Sequence, residues 1–98
     1  MAQYCVTYDI RGNDPEDYRH LIDHLKSYPS WWHHLESTWL IKSEDTAKEV
    51  LRKCLRYVPH HMEILVIEVG TTWAGAGFED EGCYNWLWKN LSSRVEKP

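Results

Sequence analysis

Long hydrophobic runs are absent from this sequence. Its longest unbroken apolar stretch, Ile64–Ile67, is only four residues long, whereas a membrane-spanning helix needs about 20. A secretory signal consists of a basic segment followed by an apolar one. The N-terminal residues of this sequence do not show that pattern. We therefore expect no membrane partner and a cytoplasmic location.

Paired cysteines and a positive net charge are absent as well. Cys5, Cys54 and Cys83 lie far apart and form no Cys-x-x-Cys motif. Such spacing is typical of buried thiols in a cytosolic protein rather than of a disulfide scaffold or a zinc ribbon. With 15 acidic residues against 11 basic ones, the net charge is −4. This balance disfavours broad coating of nucleic acid, although it leaves room for a local basic pocket.

Aromatic residues, by contrast, are abundant. The 98 residues have the composition of one ordinary globular domain over 1–98, but they include six tryptophans and six tyrosines. Trp31 and Trp32 are adjacent, and Trp86 and Trp88 lie two apart in a predicted helix. At least two of these rings must therefore be partly exposed or lie in an interface, where aromatic residues concentrate.

The beginning of the chain predicts a strand followed by a helix. Residues 3–10 alternate between two faces, which is typical of a strand. Asp14 is a good N-cap and Pro15 suits the first helical position. The helix should end before Pro29, because the residue preceding a proline avoids the helical conformation.

Two short strands, a second helix and a fourth strand are expected next. The two strands cover about 32–36 and 38–42, with a tight connection between them. Ser43 should cap the helix, and Pro59 should end it. Residues 62–69 form a strand that is apolar on both faces and needs cover on both. Two helices can cover one face, so the other needs the C-terminal segment, a second subunit, or both.

The end of the chain adds a loop over 70–77 and a helix over about 79–91, where apolar residues recur at helical spacing. Residues 92–98 should fray. The order β-α-β-β-α-β with a helical tail predicts an α+β, ferredoxin-like antiparallel sheet with an added C-terminal helix. The core of this single domain spans about 3–69, and the C-terminal loop and helix span 70–91.

Several short motifs resemble those of a known superfamily. Tyr8-Asp9-Ile10 at the end of the first strand, and the run from Leu35 to Leu40, resemble the small CRISPR spacer-acquisition proteins and the related VapD-type ribonuclease toxins. A closer resemblance is to small SinR-like proteins. These show a Trp-Trp-His to Ser-Thr-Trp run, here Trp31 to Trp39, and a late Trp-Ala-Gly loop before a helix that carries tryptophan. The resemblance covers about residues 3–91.

This resemblance implies a ferredoxin-like homodimer packed through its sheets. In the CRISPR-type family, the aspartate that ends the first strand lies at the dimer interface and can hold a magnesium ion. Asp9 matches that position. The negative charge, the added helix and the tryptophans depart from the family, and they argue against nuclease activity and spacer integration.

Taken by itself, Asp9 has two interpretations. It could be a Mg²⁺ ligand, because hard cations take carboxylate oxygens together with water, and it would then be the catalytic residue of a nuclease. It could instead cap the turn by bonding the backbone of Gly12 or Asn13. Two-metal catalysis needs a shared cluster of ligands, and Glu68 is the one further candidate for an acid at a matching strand end.

The aromatic rings and the loop over 70–77 are the candidates for ligand binding. Gly75–Gly77 resembles a phosphate-binding loop only in composition, because the spaced glycines and the Lys-Ser/Thr pair are missing. Tryptophan rings can stack on a base, while a basic side chain and loop amides can bind a phosphate. The predicted ligand-binding residues are Arg11, Asn13, Trp39, Thr71, Thr72 and Trp73.

Three functions follow from these features. The favoured hypothesis is a homodimeric, non-catalytic binder of a nucleotide or short oligonucleotide, which needs no cofactor and could sequester a signalling nucleotide in conflict between phage and host. The first alternative is a magnesium-dependent endoribonuclease of the CRISPR or VapD-like type, centred on Asp9. The second is a protein-interaction module whose exposed tryptophans dock a partner.

Overall fold

Six strands and three helices form the described part of the chain. The computed structural model describes residues 1–9, 14–59 and 62–91, together with the backbone of Arg94–Val95. In chain order the elements are β1 (Ala2–Tyr8), α1 (Pro15–Lys26), β2 (Ser30–Leu35), β3 (Thr38–Ser43), α2 (Ala47–Leu55), β4 (Ile64–Val69), β5 (Thr72–Trp73), α3 (Glu81–Leu91) and β6 (Arg94–Val95). Within these ranges no helix is both long and apolar enough to cross a bilayer.

The four longer strands form one antiparallel sheet in the order β2-β3-β1-β4. β1 lies between β3 and β4, with Val6 opposite Trp39 on one side and opposite Val66 on the other. This strand order is that of a ferredoxin-like fold, in which two split β-α-β units interlock. It confirms the predicted α+β class with an added C-terminal helix.

One face of the sheet, covered by α1 and α2, forms the main core. Tyr4, Val6 and Tyr8 alternate along β1, and all three are buried. Ile64 and Val66 of β4 pack against the same cluster, as the alternation predicted. The cluster also contains Leu21 and Leu25 from α1, Val50 and Cys54 from α2, and Trp39 and Ile41 from β3.

The opposite face of the sheet is covered in part by α3. Leu87 and Leu91 of this helix form a second buried cluster with Trp32, and the half-buried Val69 packs against it. The C-terminal segment therefore supplies cover for the second face, which was one of the predicted solutions.

Part of the second face stays open in the single chain. Leu65 and Ile67, which lie on the face of β4 away from the main core, are 54% and 49% exposed. β4 is also an edge strand of the sheet. Trp31 and Trp88 are exposed as well, so one ring of each closely spaced tryptophan pair reaches the surface, as predicted.

The second helix begins later than the sequence suggested. α2 starts at Ala47, and its N-cap is Thr46, whose side chain accepts a hydrogen bond from the Glu49 N–H at 3.2 Å. The prediction that Ser43 caps this helix was wrong, because Ser43 is the last residue of β3 and is buried. Its Oγ instead accepts a hydrogen bond from the Asp45 N–H at 3.0 Å.

The late loop and the tail contain a small parallel sheet that was not predicted. Thr72 of β5 lies opposite Arg94 of β6, and Trp73 lies opposite Val95. At Arg94 and Val95, within the tail expected to fray, strand pairing supplies backbone groups with hydrogen-bond partners. The rest of the predicted tail lies outside the described residues, as does Ile10 at the end of the predicted first strand.

Candidate functional site

A cleft opens between the second face of the sheet and α3, beside the loop that connects β4 to α3. Its volume is about 490 Å³, within the range of about 300–1,000 Å³ that is usual for small-molecule sites. The sheet contributes Leu40 and Val69, and α3 contributes Leu87 and Leu91. Residues far apart in the sequence thus meet around one cavity.

Three aromatic rings, those of Trp32, Trp73 and Phe78, line this cleft. Phe78 meets Trp32 edge to face, with ring centroids 5.4 Å apart. Trp73 meets the exposed ring of Trp88 in the same manner at 5.9 Å. The Trp32 Nε1–H also donates a hydrogen bond to the Cys83 carbonyl at 3.1 Å. These contacts hold the rings in place before any ligand binds.

The loop beside the cleft is tied to α3. The Phe78 N–H donates a hydrogen bond to the Tyr84 hydroxyl at 3.2 Å, and the two rings pack edge to face at 5.6 Å. Gly75 lies so close to Phe78 that a Cβ at this position would be 3.2 Å from the phenyl ring. Gly77 has a φ of 86°, a conformation that glycine adopts without steric cost. These two glycines therefore set the shape of the loop.

Trp73 carries an unsatisfied polar atom. Its Nε1 is buried and has no hydrogen-bond partner. Among the described residues, no other buried side-chain nitrogen or oxygen lacks a partner. The indole N–H groups of Trp32, Trp39 and Trp86 all donate to protein acceptors, at 2.9 to 3.1 Å. A buried N–H without a partner costs roughly 1–3 kcal/mol.

Two of the predicted ligand-binding residues lie at the cleft. Thr72 and Trp73 line it directly. Thr71 precedes them on the same loop and is exposed, but it is not part of the lining. Arg11 and Asn13 lie outside the described residues.

Trp39, the remaining predicted ligand residue, belongs to the main core instead. Its exposed fraction is 0%, and its Nε1–H donates a hydrogen bond to the Tyr8 hydroxyl at 3.0 Å. The His33 ring stacks on it at 3.9 Å. We therefore remove Trp39 from the ligand set, because the register places it opposite Val6 on the face covered by helices. A ring without accessible surface cannot stack on a ligand.

Asp9 follows the end of β1, outside the cleft, and lines a second cavity together with Glu63 and Leu65. The Asp9 N–H donates a hydrogen bond to the Glu63 carbonyl at 3.1 Å. Glu68, the acid that the sequence suggested as a companion, instead lies opposite Tyr4 near the other end of β4. That prediction was wrong, because the antiparallel pairing brings the start of β4, not its end, to the end of β1.

No three side chains of His, Cys, Asp or Glu come together as a metal site within the residues that the structure describes. His24 shows how one imidazole is used instead. It stacks on Tyr57 at 4.8 Å and hydrogen-bonds with the Tyr28 hydroxyl at 3.2 Å. Burial lowers the pKa of His24, and the neighbouring cations of Lys53 and Arg56 lower it further. These contacts give His24 a role in packing.

Trp32 and Phe78 are cleft residues that no sequence pattern identified. Alternation along β2 indicates that Trp31 and Trp32 face opposite ways, but it does not show which of them meets the C-terminal helix. Phe78 stands alone between a glycine-rich stretch and α3, so no periodicity marks it. The aromatic content of the chain was the only available signal.

Comparison with known proteins identifies no relative of this chain. No family model matches the chain, and no curated protein and no solved structure is significantly similar to it. The resemblance to the CRISPR and VapD-like proteins therefore stays a prediction, and function is argued from the site itself.

Proposed function

We propose that this protein is a non-catalytic binding protein that holds the base of a nucleotide-type ligand in the cleft between the sheet and α3. The observation that carries this proposal is the set of three aromatic rings, those of Trp32, Trp73 and Phe78, that line the cleft. A heteroaromatic base offers a flat ring that can stack against such aromatic walls. Such a protein would act by sequestering its ligand.

The lining of the cleft supports binding rather than chemistry. Its described residues are apolar, aromatic, glycine or threonine. One of the two threonines, Thr38, already hydrogen-bonds through its hydroxyl with the Thr7 hydroxyl at 3.2 Å. A general acid or base must have a titratable group within hydrogen-bond reach of the reacting atom, and the described residues of the lining offer none.

The proposal is tested by a thermal-shift screen and by tryptophan fluorescence. Bases, nucleosides and nucleotides are titrated into the purified protein, with and without Mg²⁺. A ligand that binds only the native state raises the melting temperature by mass action, and a base beside Trp32 or Trp73 should quench their emission. We expect both effects with at least one member of the panel in the absence of Mg²⁺.

Two variants show whether binding occurs in the cleft. Ala76 lines the cleft, so Ala76→Trp should fill it and abolish the thermal shift. Lys48→Trp adds the same ring to an exposed position of α2 and should leave the shift intact. Binding that survives in Ala76→Trp would contradict the proposed site. If no compound shifts the melting temperature, the protein-interaction hypothesis replaces this proposal.

We also propose that two copies of the chain associate through the open part of the second sheet face. Leu65 and Ile67 are exposed there, and their partners on β1, Thr7 and Cys5, are uncharged. An uncharged apolar patch can pair with its own copy across a two-fold axis without opposing like charges. The resemblance to a family of sheet-packed homodimers points the same way.

The cysteines support a cytoplasmic location for this function. All three are free, and proteins of reducing compartments do without disulfides. Burial raises the pKa of the Cys54 thiol to about 11, which keeps it in the unreactive protonated form.

A magnesium-dependent ribonuclease is the second candidate, and one observation favours it. Asp9 and Glu63 line the same cavity, and carboxylates with water are the ligands that Mg²⁺ takes. These two side chains would hold the ion, which would activate water for attack on RNA. Asp9→Asn should then abolish Mg²⁺-dependent RNA cleavage, whereas Asp23→Asn, at an exposed position of α1, should not. Cleavage that persists in Asp9→Asn would exclude this candidate.

A further inference from the structure

We infer that the cleft and the open part of the second sheet face form one composite site, and that a second copy of the chain supplies a wall which the single chain lacks. Ligand binding and dimerisation then strengthen each other. This inference rests on the proposed function and deepens it, because it assigns part of the ligand site to the partner copy.

The first argument is the register of the sheet, which places the cleft and the exposed apolar patch in the same two cross-strand rows. In the first row, Leu35 lies opposite Thr38, Thr38 opposite Thr7, and Thr7 opposite Leu65. The second row consists, in the same order of strands, of Trp32, Leu40, Cys5 and Ile67. In each row the residues from β2 and β3 line the cleft, and the residue from β4 is exposed.

Only one strand separates the cleft from the patch. β1 lies between β3 and β4, so Leu40 and Ile67 are two strand spacings apart, or about 10 Å. The residues of β1 between them, Cys5 and Thr7, are half-buried, and no residue of β1 belongs to the described lining. The cleft is therefore open toward the patch, on the side where a second copy would sit.

The second argument is the area that a stable dimer must bury. A specific interface takes about 800 Å² from each partner, which corresponds to a patch roughly 25–30 Å across. Leu65 and Ile67 lie on an edge strand, so the sheet offers no further surface beyond β4. On the sheet, an interface of this size must extend inward across β1 to Thr38 and Leu40, and these two residues line the cleft.

The third argument is that the two rows suit a copy of themselves. All eight of their residues are uncharged, and the leucines at the two ends of the first row, Leu35 and Leu65, are 49% and 54% exposed. The hydroxyls of Thr7 and Thr38 bond to each other at 3.2 Å, so both keep a partner when water is removed. A two-fold dimer sets the same patch against itself, and here it would oppose no like charges.

Coupling between the two events follows from the shared border. A ligand that touches the second copy binds the dimer more tightly than the single chain. By thermodynamic reciprocity, the dimer is then more stable in the presence of that ligand by the same factor, which is typically about 5- to 150-fold. Because both copies present the same face, the dimer contains two such sites.

The test measures the dissociation constant of the dimer by analytical ultracentrifugation, with and without a saturating probe. The probe is whichever of the adenine, guanine, cytosine and uracil nucleosides and monophosphates raises the melting temperature most. We expect it to lower the dissociation constant of the wild-type dimer at least about fivefold. It should have no effect on the dissociation constant of Ala76→Trp, because that substitution fills the cleft.

The possible failures of this test are distinguishable. A dissociation constant that is equal with and without a bound probe would overturn the inference and leave the proposed ligand site standing. A wild type that stays monomeric while it binds the probe would do the same. If none of the compounds raises the melting temperature, the proposed function fails, and the inference fails with it.

The reverse effect is measured by calorimetric titration of the probe. Ile67 is not part of the described lining, so Ile67→Lys should weaken binding through loss of the second copy. We expect at least about a fivefold loss of affinity at a protein concentration where the wild type is dimeric. Leu55→Lys, at an exposed residue of α2, should bind the probe as the wild type does.

Dilution of the wild type gives the same comparison without a variant. Below the dissociation constant of the dimer, the wild type should lose as much affinity for the probe as Ile67→Lys does. Fluorescence titration across a range of protein concentrations measures this loss. An affinity that is the same for monomer and dimer would contradict the composite site.

Discussion

At the scale of single residues, tryptophan serves two purposes in this chain, and its place in the sheet decides which. Trp39 lies on the face covered by α1 and α2, and its indole N–H is satisfied by the Tyr8 hydroxyl. Trp73 lies beside α3, is only partly buried and lines a cavity. The first ring therefore stabilises the fold, and the second is available to a ligand.

Replacement of Trp39 should reveal its contribution to stability. We expect Trp39→Ala to lower the free energy of unfolding by about 3–5 kcal/mol, because it leaves a cavity and removes the partner of Tyr8. Trp88→Ala, at a residue that is 53% exposed, should lower it by only about 0.5–1.5 kcal/mol, the contribution of its edge-to-face contact with Trp73. Urea denaturation measures both. Equal losses of unfolding free energy in the two variants would show that Trp39 stabilises the fold no more than Trp88 does.

His24 makes stability depend on pH. Its pKa is lowered from the ordinary 6.5, first by burial and then by the nearby cations, so the unfolded chain binds this proton more readily than the folded one. The free energy of unfolding should therefore fall as the pH drops below about 6.5 and on through the folded pKa. Denaturation curves at about pH 7.5 and about pH 5 measure the fall. It should be smaller in His24→Gln, whereas His20→Gln, at an exposed residue, should behave as the wild type. An unchanged fall in His24→Gln would contradict this assignment.

At the scale of elements, α2 illustrates how local hydrogen bonds set a helix boundary. Thr46 and Glu49 exchange two hydrogen bonds between side chain and backbone, at 3.1 and 3.2 Å. This capping box satisfies two of the N–H groups that a helix leaves without partners at its start. The helix accordingly begins after Thr46, although Ser43, Glu44 and Asp45 also have side chains suited to a helix start.

Removal of this cap should destabilise the protein measurably. Thr46→Ala is expected to lower the free energy of unfolding by about 0.5–2 kcal/mol. Lys48→Ala, at an exposed residue of the same helix, serves as the control and should stay within about 0.5 kcal/mol of the wild type. Chemical denaturation followed by circular dichroism compares them. A Thr46→Ala variant as stable as the control would show that the capping box does not stabilise α2.

At the scale of the whole molecule, the two faces of the sheet are covered unequally. Two helices close the first face, while α3 closes only part of the second and leaves Leu65 and Ile67 exposed. β4 is an edge strand, and exposed apolar edge strands favour association with another chain. This imbalance is the physical basis of the proposed homodimer.

A charge placed on this face should separate the two copies. We expect the wild type to be a dimer by light scattering coupled to size exclusion, and Ile67→Lys to be a monomer. Leu55→Lys makes the same change on α2 at a residue of almost equal exposure, 48% against 49% for Ile67, and should remain dimeric. A wild-type monomer at high micromolar concentration, or a dimer that persists in Ile67→Lys, would refute the proposed interface.

The sequence by itself determined the kind and order of the main elements. Alternation along 62–69 divided Ile64 and Val66 from Leu65 and Ile67, and the structure places these pairs on opposite faces. Asp14 and Pro15 marked the start of α1, which the structure begins at Pro15. These features depend on neighbours within a few residues, so a local pattern suffices to predict them.

Only the tertiary structure decided which residues meet. Alternation gives every strand two faces but does not show which one the helices cover, and this is why Trp39 was assigned to a ligand and lies in the core. Glu63 reaches Asp9 only through the antiparallel pairing of β4 with β1. The cleft combines Trp32, Trp73 and α3, which are brought together by strand order and by the return of the chain over the second face. Such contacts depend on the pairing of distant segments, and no local pattern in the sequence encodes that pairing.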